Sequence, residues 1–154
     1  VDLQSLKPGD TLEGAAAPQI ANRSFKITCD VQPEGADGVI VAHGGKSFGY
    51  SLALVKGQLC FSVRPRAESI VTIKSITIPE GRIEIEAELA KDGIMTLAIN
   101  GKTVAKTRSP GLISRQPQEN FCLGHDDAVP VNEEATVRFK GSFGKLQFTT
   151  SDPN

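Results

Sequence analysis

The sequence predicts an all-β protein built as a two-sheet antiparallel β-sandwich. Three observations carry this. Apolar and polar residues alternate at a period of two in Ser24–Gln32 and Arg82–Lys91, the pattern of a strand with one buried face. Between Asp37 and Val63 three β-rich runs follow one another, parted by Gly44-Gly45 and by Lys56-Gly57. No long segment repeats its apolar residues at helical spacing, and Gly falls where turns are wanted. That combination argues for a sandwich or barrel.

In chain order, Val1–Gly14 reads as a leading arm that Leu3, Leu6 and Leu12 could dock, with a turn at Lys7-Pro8-Gly9-Asp10. Ala15–Asn22 is connection, broken by Pro18. In Ser24–Gln32, Phe25, Ile27, Cys29 and Val31 face the core, and Pro33-Glu34-Gly35 turns the chain. Val39, Ile40 and Val41 form an unbroken apolar run, as in a central strand covered on both faces. Ser69–Ile78 is rich in β-branched residues, and Pro65 just before it marks a bend or an edge. Arg82–Lys91 places Ile83, Ile85, Ala87 and Leu89 inside and Glu84, Glu86 and Glu88 outside. A cation such as Lys102 or Lys106 is expected across the sheet, because like charges in a row repel. Asp92-Gly93 and Asn100-Gly101 are hairpin signals, the second for a type I′ turn. Arg108–Gln118 is a loop, Asn120–Leu123 a short strand, and Gly124–Ala135 a polar loop. Thr136–Thr150 holds the last strands, and the final one should return beside Ser24–Gln32 to bury a sheet edge.

A chain of 154 residues is one domain by the usual prior. The expected division is a single domain over 1–154, with 1–22 as arm and 23–150 as sandwich body. A domain of this size buries roughly 70 % of its unfolded surface, so the core needs no metal or disulfide to staple it. The net charge of −1 excludes a strongly basic nucleic-acid footprint. No apolar run is long enough to span a bilayer. Neither nucleic acid nor membrane is therefore an expected partner. Seven Phe, one Tyr and no Trp leave few rings on which a sugar could stack. The chain starts Val-Asp, without Met, and reads as a processed protein or an excised domain.

Cys29, Cys60 and Cys122 lack metal-ligand spacing. Cys29 alternates with core residues. Cys60 and Cys122 lie between apolar neighbours, which points them away from the core. Three free thiols are expected, with one disulfide as the alternative, since connectivity is not readable from sequence.

Few constellations carry chemistry. Glu84, Glu86 and Glu88 could be mistaken for glycosidase carboxylates, but Glu-x-Asp-x-x-Glu, the pattern of jelly-roll glucanases, is absent and a solvated face is the better reading. Gly45-Lys46-Ser47-Phe48-Gly49 has the letters of Gly-x-Ser-x-Gly, but it precedes a strand where a nucleophile turn would open a helix, and Gly44-Gly45-Lys46-Ser47 lacks the spacing of a phosphate loop. No catalytic residue is assigned. Ligand contacts are expected at the rim loops Gly44–Tyr50 and Gly124–Val131, because loops on a rigid scaffold carry variable function. The residues named for them are His43, Lys46, Tyr50, His125, Asp126 and Asp127. Asp126 and Asp127, with loop carbonyls, could hold Ca²⁺. No other cofactor is expected.

The segment ADGVIVAHGGKSFGYSLALVKGQLCFSV resembles a stretch of laminin-G-like, concanavalin A-like jelly-roll domains. MTLAINGKTVA resembles a later hairpin of those domains, NFCLGHDDAVPV a glycine-led loop element, and GSFGKLQFTT their closing strand. The resemblance runs from about Asn22 to Thr150, and this set of elements is similar to the C-terminal accessory domain of bacterial arylsulfatases. It departs from the pattern at His125, where the element ordinarily has Arg. The sulfatase motif Cys-x-Pro-x-Arg occurs at none of the three cysteines. The resemblance implies a non-catalytic accessory module of a secreted hydrolase. Its partners would be carbohydrate or the hydrolase's catalytic domain, in an extracytoplasmic location. The alternatives are a free-standing interaction domain for protein or glycan and, less favoured, a small jelly-roll glycoside hydrolase.

Overall fold

The computed structural model describes residues 3, 5–75, 78–128 and 130–151. Two antiparallel sheets lie face to face. The first runs in the order β1 (Thr11–Leu12), β10 (Phe121–Leu123), β3 (Gly38–Gly44), β4 (Gly49–Val55), β5 (Gln58–Arg66), β6 (Ser69–Lys74). The second runs β11 (Ser142–Thr150), β2 (Phe25–Gln32), β7 (Ile83–Leu89), β8 (Ile94–Ile99), β9 (Lys102–Arg108). One short 3-10 turn, Gly14–Ala16, is the only helical element among the described residues, and none of their helices is long and apolar enough to cross a membrane.

Period-two alternation builds the core. Phe25, Ile27, Cys29 and Val31 of β2 share it with Ile83, Ile85, Ala87 and Leu89 of β7 and with Met95, Leu97 and Ile99 of β8. From the other sheet come Tyr50, Leu52, Leu54, Leu59, Phe61, Val63, Phe121 and Leu123. The hairpins follow the turn chemistry. Asn100 (φ 53°) and Gly101 (φ 81°) both take positive φ, as do Lys56 (φ 53°) and Gly57 (φ 75°), the twist-matched geometry for two-residue turns. The final strand, β11, pairs with β2. Its bulge between Phe143 and Leu146 brings Gly144 and the Lys145 amide onto the Asp30 carboxylate, which a Cβ at Gly144 would meet.

Several elements differ in detail from the sequence reading. The leading arm is part of the first sheet: β1 pairs with β10, and Leu3, Ala17 and Ile20 are buried in the core. Pro65 sits inside β5 where the register with the edge strand β6 shifts between Val63 and Arg66, so the bend and the neighbouring edge coincide. Of the strand expected over Ser69–Ile78, residues 76 and 77 lie outside the described residues, and β6 closes at Lys74. The cations expected beside the glutamate row are elsewhere. Lys106 and Lys102 face Thr96 and Ile99 of β8. Lys26 stands directly opposite Glu88, and Arg82 pairs with Asp30, the residue opposite Glu84.

At the end of the sandwich where β3 turns into β4, five rings meet. Phe25 packs on Tyr50 with centroids 4.7 Å apart and on Phe148 at 5.6 Å, while Phe121 meets Phe148 edge-on. His43 enters this cluster from β3. Its Nδ1 lies 2.9 Å from the Tyr50 hydroxyl, and its ring stands edge-on to Phe121. His43 and Tyr50 are 1 % and 0 % exposed. A bulge between Val39 and Val41 resets the alternation, so that Ile40 and Val41 are both in the core and His43 points inward. The His43 Nε2 is buried with no partner among the described residues. Burial holds its pKa down, at about 4 against the usual 6.5, because desolvation disfavours the imidazolium.

A depressed histidine pKa means that the unfolded chain takes up the proton first on acidification. The His43 contribution to stability should therefore be full above about pH 6.5 and lost as pH falls towards 4, a change of roughly 3 kcal/mol. Urea unfolding between pH 4 and 7.5 measures it. His43→Gln, whose amide can still meet the Tyr50 hydroxyl, should lack this contribution, so the wild-type-minus-variant difference should fall by that amount between pH 6.5 and 4. The Asp126 carboxyl, whose pKa burial raises, works in the opposite sense over this window but is common to both proteins and cancels in the difference.

Candidate functional site

The segment from Gly124 to Phe139 joins β10 to β11 and is a strap lying against the outer face of the first sheet. That face is built of small side chains. Ala42, Ser51, Ala53, Cys60, Ser62 and Cys122 occupy it, and each is at most 2 % exposed. Small residues let a second layer of backbone come close. The Gly124 amide donates to the Ile40 carbonyl (2.7 Å), the Val39 amide to the Val137 carbonyl (2.8 Å), and the Phe139 amide to the Gly124 carbonyl (3.0 Å). Arg64 reaches from β5 and donates through Nη2 to the Val131 carbonyl at 2.9 Å. Ala135 packs on Val39, Ala42 and Ala53 in a second, smaller apolar cluster. A Cβ on Gly38 would collide with the backbone at Phe139, so glycine is required where strap and strand meet.

The six residues singled out in the sequence divide into three groups. His43 and Tyr50 are inside the sandwich, bonded to each other, and the Tyr50 ring has no face open to solvent. Its expected part in an exposed sugar groove is therefore corrected: the bulge in β3 and the ring cluster turn the pair inward. Lys46 is exposed in the loop between β3 and β4. His125, Asp126 and Asp127 begin the strap. The expectation of three free thiols agrees with the structure, in which Cys29, Cys60 and Cys122 are free and buried.

At the start of the strap, Cys122, His125 and Asp127 bring a sulfur, a ring nitrogen and a carboxylate oxygen within 4.8 Å of one another. The His125 Nδ1 lies 3.1 Å from the Leu123 carbonyl. A carbonyl only accepts, so Nδ1 carries the proton and Nε2 keeps its lone pair. Asp127 Oδ2 accepts from the Asn120 side-chain amide at 3.0 Å. Burial pushes the Cys122 thiol up to about 12, opposed by the Asp127 amide directed at it. Asp126 is oriented differently. Its Oδ1 accepts from the Ala128 amide at 3.2 Å, and its Oδ2 is buried with no partner among the described residues. Burial pushes its pKa up to about 6, the Ala128 and Val131 amides acting in the opposite direction.

A cleft of about 190 Å³ opens beside the β3–β4 loop, lined by Ser47, Phe48, Arg115, Gln116, Gln118 and Glu119. Gln116 is committed to the fold: its Oε1 accepts from the Ile20 amide and its Nε2 donates to the Pro18 carbonyl. That clamp fixes the loop on which Arg115, Gln118 and Glu119 stand. Phe48 is half-buried and offers part of its ring. In the sequence Arg108–Gln118 reads as a loop and nothing more. The polar run Arg115-Gln116-Pro117-Gln118-Glu119-Asn120 was the signal available in it. At the opposite end of the sandwich, Gln32–Gly35 and Ile78–Gly81 line a second cleft of about 340 Å³.

No protein-family model matches the sequence, and no curated protein matches it. Solved structures do. Domains LG4-5 of the mouse laminin alpha1 chain superpose with a TM-score of 0.72 at 15 % identity, over 95 % of this chain and 38 % of that one. A SAP-like pentraxin from Limulus polyphemus gives 0.57 at 18 % identity, over 90 % of this chain and 73 % of that one. A structure of botulinum neurotoxin type C, whose cell entry is described as dependent on two ganglioside molecules, gives 0.54 at 15 % identity, over 66 % of this chain and 27 % of that one. The chain thus spans well under half of the laminin and neurotoxin chains. The fold is that of the laminin-G-like, concanavalin A-like jelly rolls.

The strap's attachment is open to test. Ala53→Leu places a branched side chain beneath Ala135, and overpacking of this kind costs about 1–3 kcal/mol. Limited proteolysis should then cut within 125–137 well before the rest of the sandwich, whereas the parent protein should resist at that segment.

Proposed function

We propose that this chain is a non-catalytic recognition module that binds carbohydrate in the cleft beside the β3–β4 loop. The carrying observation is the make-up of that cleft: the partly open ring of Phe48 beside Ser47, Arg115, Gln118 and Glu119. A pyranose presents an apolar face of C–H groups and a rim of hydroxyls. A phenyl wall with donors and acceptors around it matches both. Lys46 borders the cleft in sequence and adds a cation suited to an acidic or sulfated sugar. Support also comes from fold neighbours, one of which is described as dependent on gangliosides for cell entry.

The reading of the module as a docking surface for a catalytic domain has less behind it. The exposed large apolar residues among the described ones are Ile70 on β6, Val104 on β9 and Val137 on the strap, too few to make the broad patch that marks an apolar interface. On the carbohydrate reading the chain is an accessory part of an extracytoplasmic hydrolase, of which an arylsulfatase is the instance the sequence resembles. The reacting residues would lie elsewhere in that parent.

A glycan array tests the proposal. The wild type should retain a subset of glycans, Phe48→Ala should weaken binding at least tenfold, and Arg115→Ala should reduce binding of charged glycans most. Asp126→Ala/Asp127→Ala should leave binding unchanged, because the strap does not line this cleft. Failure of the wild type to bind any glycan, or equal binding by Phe48→Ala, would overturn it.

A further inference from the structure

We propose that Cys122, His125 and Asp127 form a binding site for a transition-metal ion of the Zn²⁺ class, which fastens the root of the strap to the first sheet. The inference stands apart from the carbohydrate reading and uses none of its residues. It rests on three donors of different kinds converging in one place, each already oriented by a partner of its own.

Cys122 is held by strand geometry. It lies on β10, between Thr11 of β1 and Ala42 of β3, and its side chain is on the outer face. His125 follows three residues later, where Gly124 has turned the chain out of the strand, and Asp127 two residues after that. Their donor atoms lie within 4.8 Å of one another. Around a tetrahedral Zn²⁺ the donors sit roughly 3.3–3.6 Å apart, so the site is formed to within about an ångström.

The supporting contacts are those that metal sites use. The Nδ1 proton of His125 on the Leu123 carbonyl leaves Nε2 as the lone-pair nitrogen, and Asn120 orients the Asp127 carboxylate. Outer contacts of this sort fix the tautomer and direction of a ligand before the ion arrives. Asp127 is exposed while Cys122 and His125 are buried, which gives the ion a path from solvent to an enclosed sulfur.

The donor set decides which ion. A thiolate and an imidazole select Zn²⁺ and its softer neighbours, whereas Ca²⁺ requires six or more oxygens. Asp126 and Asp127 supply oxygen, but only Asp127 belongs to the cluster, beside sulfur and nitrogen. Three protein ligands leave a fourth position for water. On binding, the Cys122 S–H bond breaks, the sulfur's electron pair goes to the metal, and one proton is released to solvent.

Titration of the chelator-treated, reduced protein with Co²⁺ tests this, since Co²⁺ reports thiolate ligation by a sulfur-to-metal charge-transfer band in the near ultraviolet. One Co²⁺ per chain should bind with that band, Zn²⁺ should displace it, and a large excess of Ca²⁺ should not. Cys122→Ser should abolish the band, Asp127→Asn should weaken binding at least tenfold, and Cys60→Ser should bind as the wild type does. Circular dichroism of each variant checks that the sandwich is retained. The proposal is overturned by a wild type that shows no saturable thiolate band, by a band that survives Cys122→Ser, or by displacement of Co²⁺ by equimolar Ca²⁺.

Discussion

The structure depends on strands β3 and β4 having no wet face. Their inner side chains meet β2 and β7 across the sandwich. Their outer side chains lie beneath a strap of the same chain. A strand covered on both sides must satisfy two packing distances at once. The inner gap is filled by large residues such as Tyr50 and Leu52, and the outer by Ala42, Ser51 and Ala53, over which a backbone can pass closely. The hydrogen bonds from Val39 to Val137 and from Gly124 to Ile40 are made only at that short separation. Buried backbone groups must be paired, so strap and sheet complete each other.

The same constraint governs where chemistry is found. In the inner gap His43 and Tyr50 bond to each other, and the His43 Nε2 has no partner among the described residues. Polar groups are admitted at the margins of the outer one. The root of the strap gathers Cys122, His125 and Asp127, and the strap's far side receives Arg64. No strap residue lines the cleft beside Phe48, one wall of which is a loop anchored by Gln116.

The sandwich was legible in the sequence because alternation in Ser24–Gln32 and Arg82–Lys91 states directly which side chains face inward. The return of the last strand to β2 followed from the need to cover an edge, and Cys29 as a core residue followed from its phase. The phase of His43 was not legible. A bulge between Val39 and Val41 shifts the alternation by one residue, and in an unbroken apolar run nothing marks where it falls. Cys60 and Cys122 were read correctly as facing away from the core, yet they are buried. Alternation separates the two faces of a strand but does not say what covers the second. Here the cover is the segment Gly124–Phe139, and its polar composition reads as a solvent loop because its main-chain groups, not its side chains, make most of the attachment. The cleft was missed for a similar reason. Phe48 and Arg115 are far apart in sequence, and only the Gln116 clamp brings their loops together.

Amide hydrogen exchange resolved by residue tests the two-sided burial of β3 most directly. The Val39, Gly124 and Phe139 amides should exchange nearly as slowly as core amides of β2 and β7, because all three are bonded between strap and sheet or within the strap's root. Fast exchange at these three positions, with β2 and β7 still protected, would show an open strap and contradict the account.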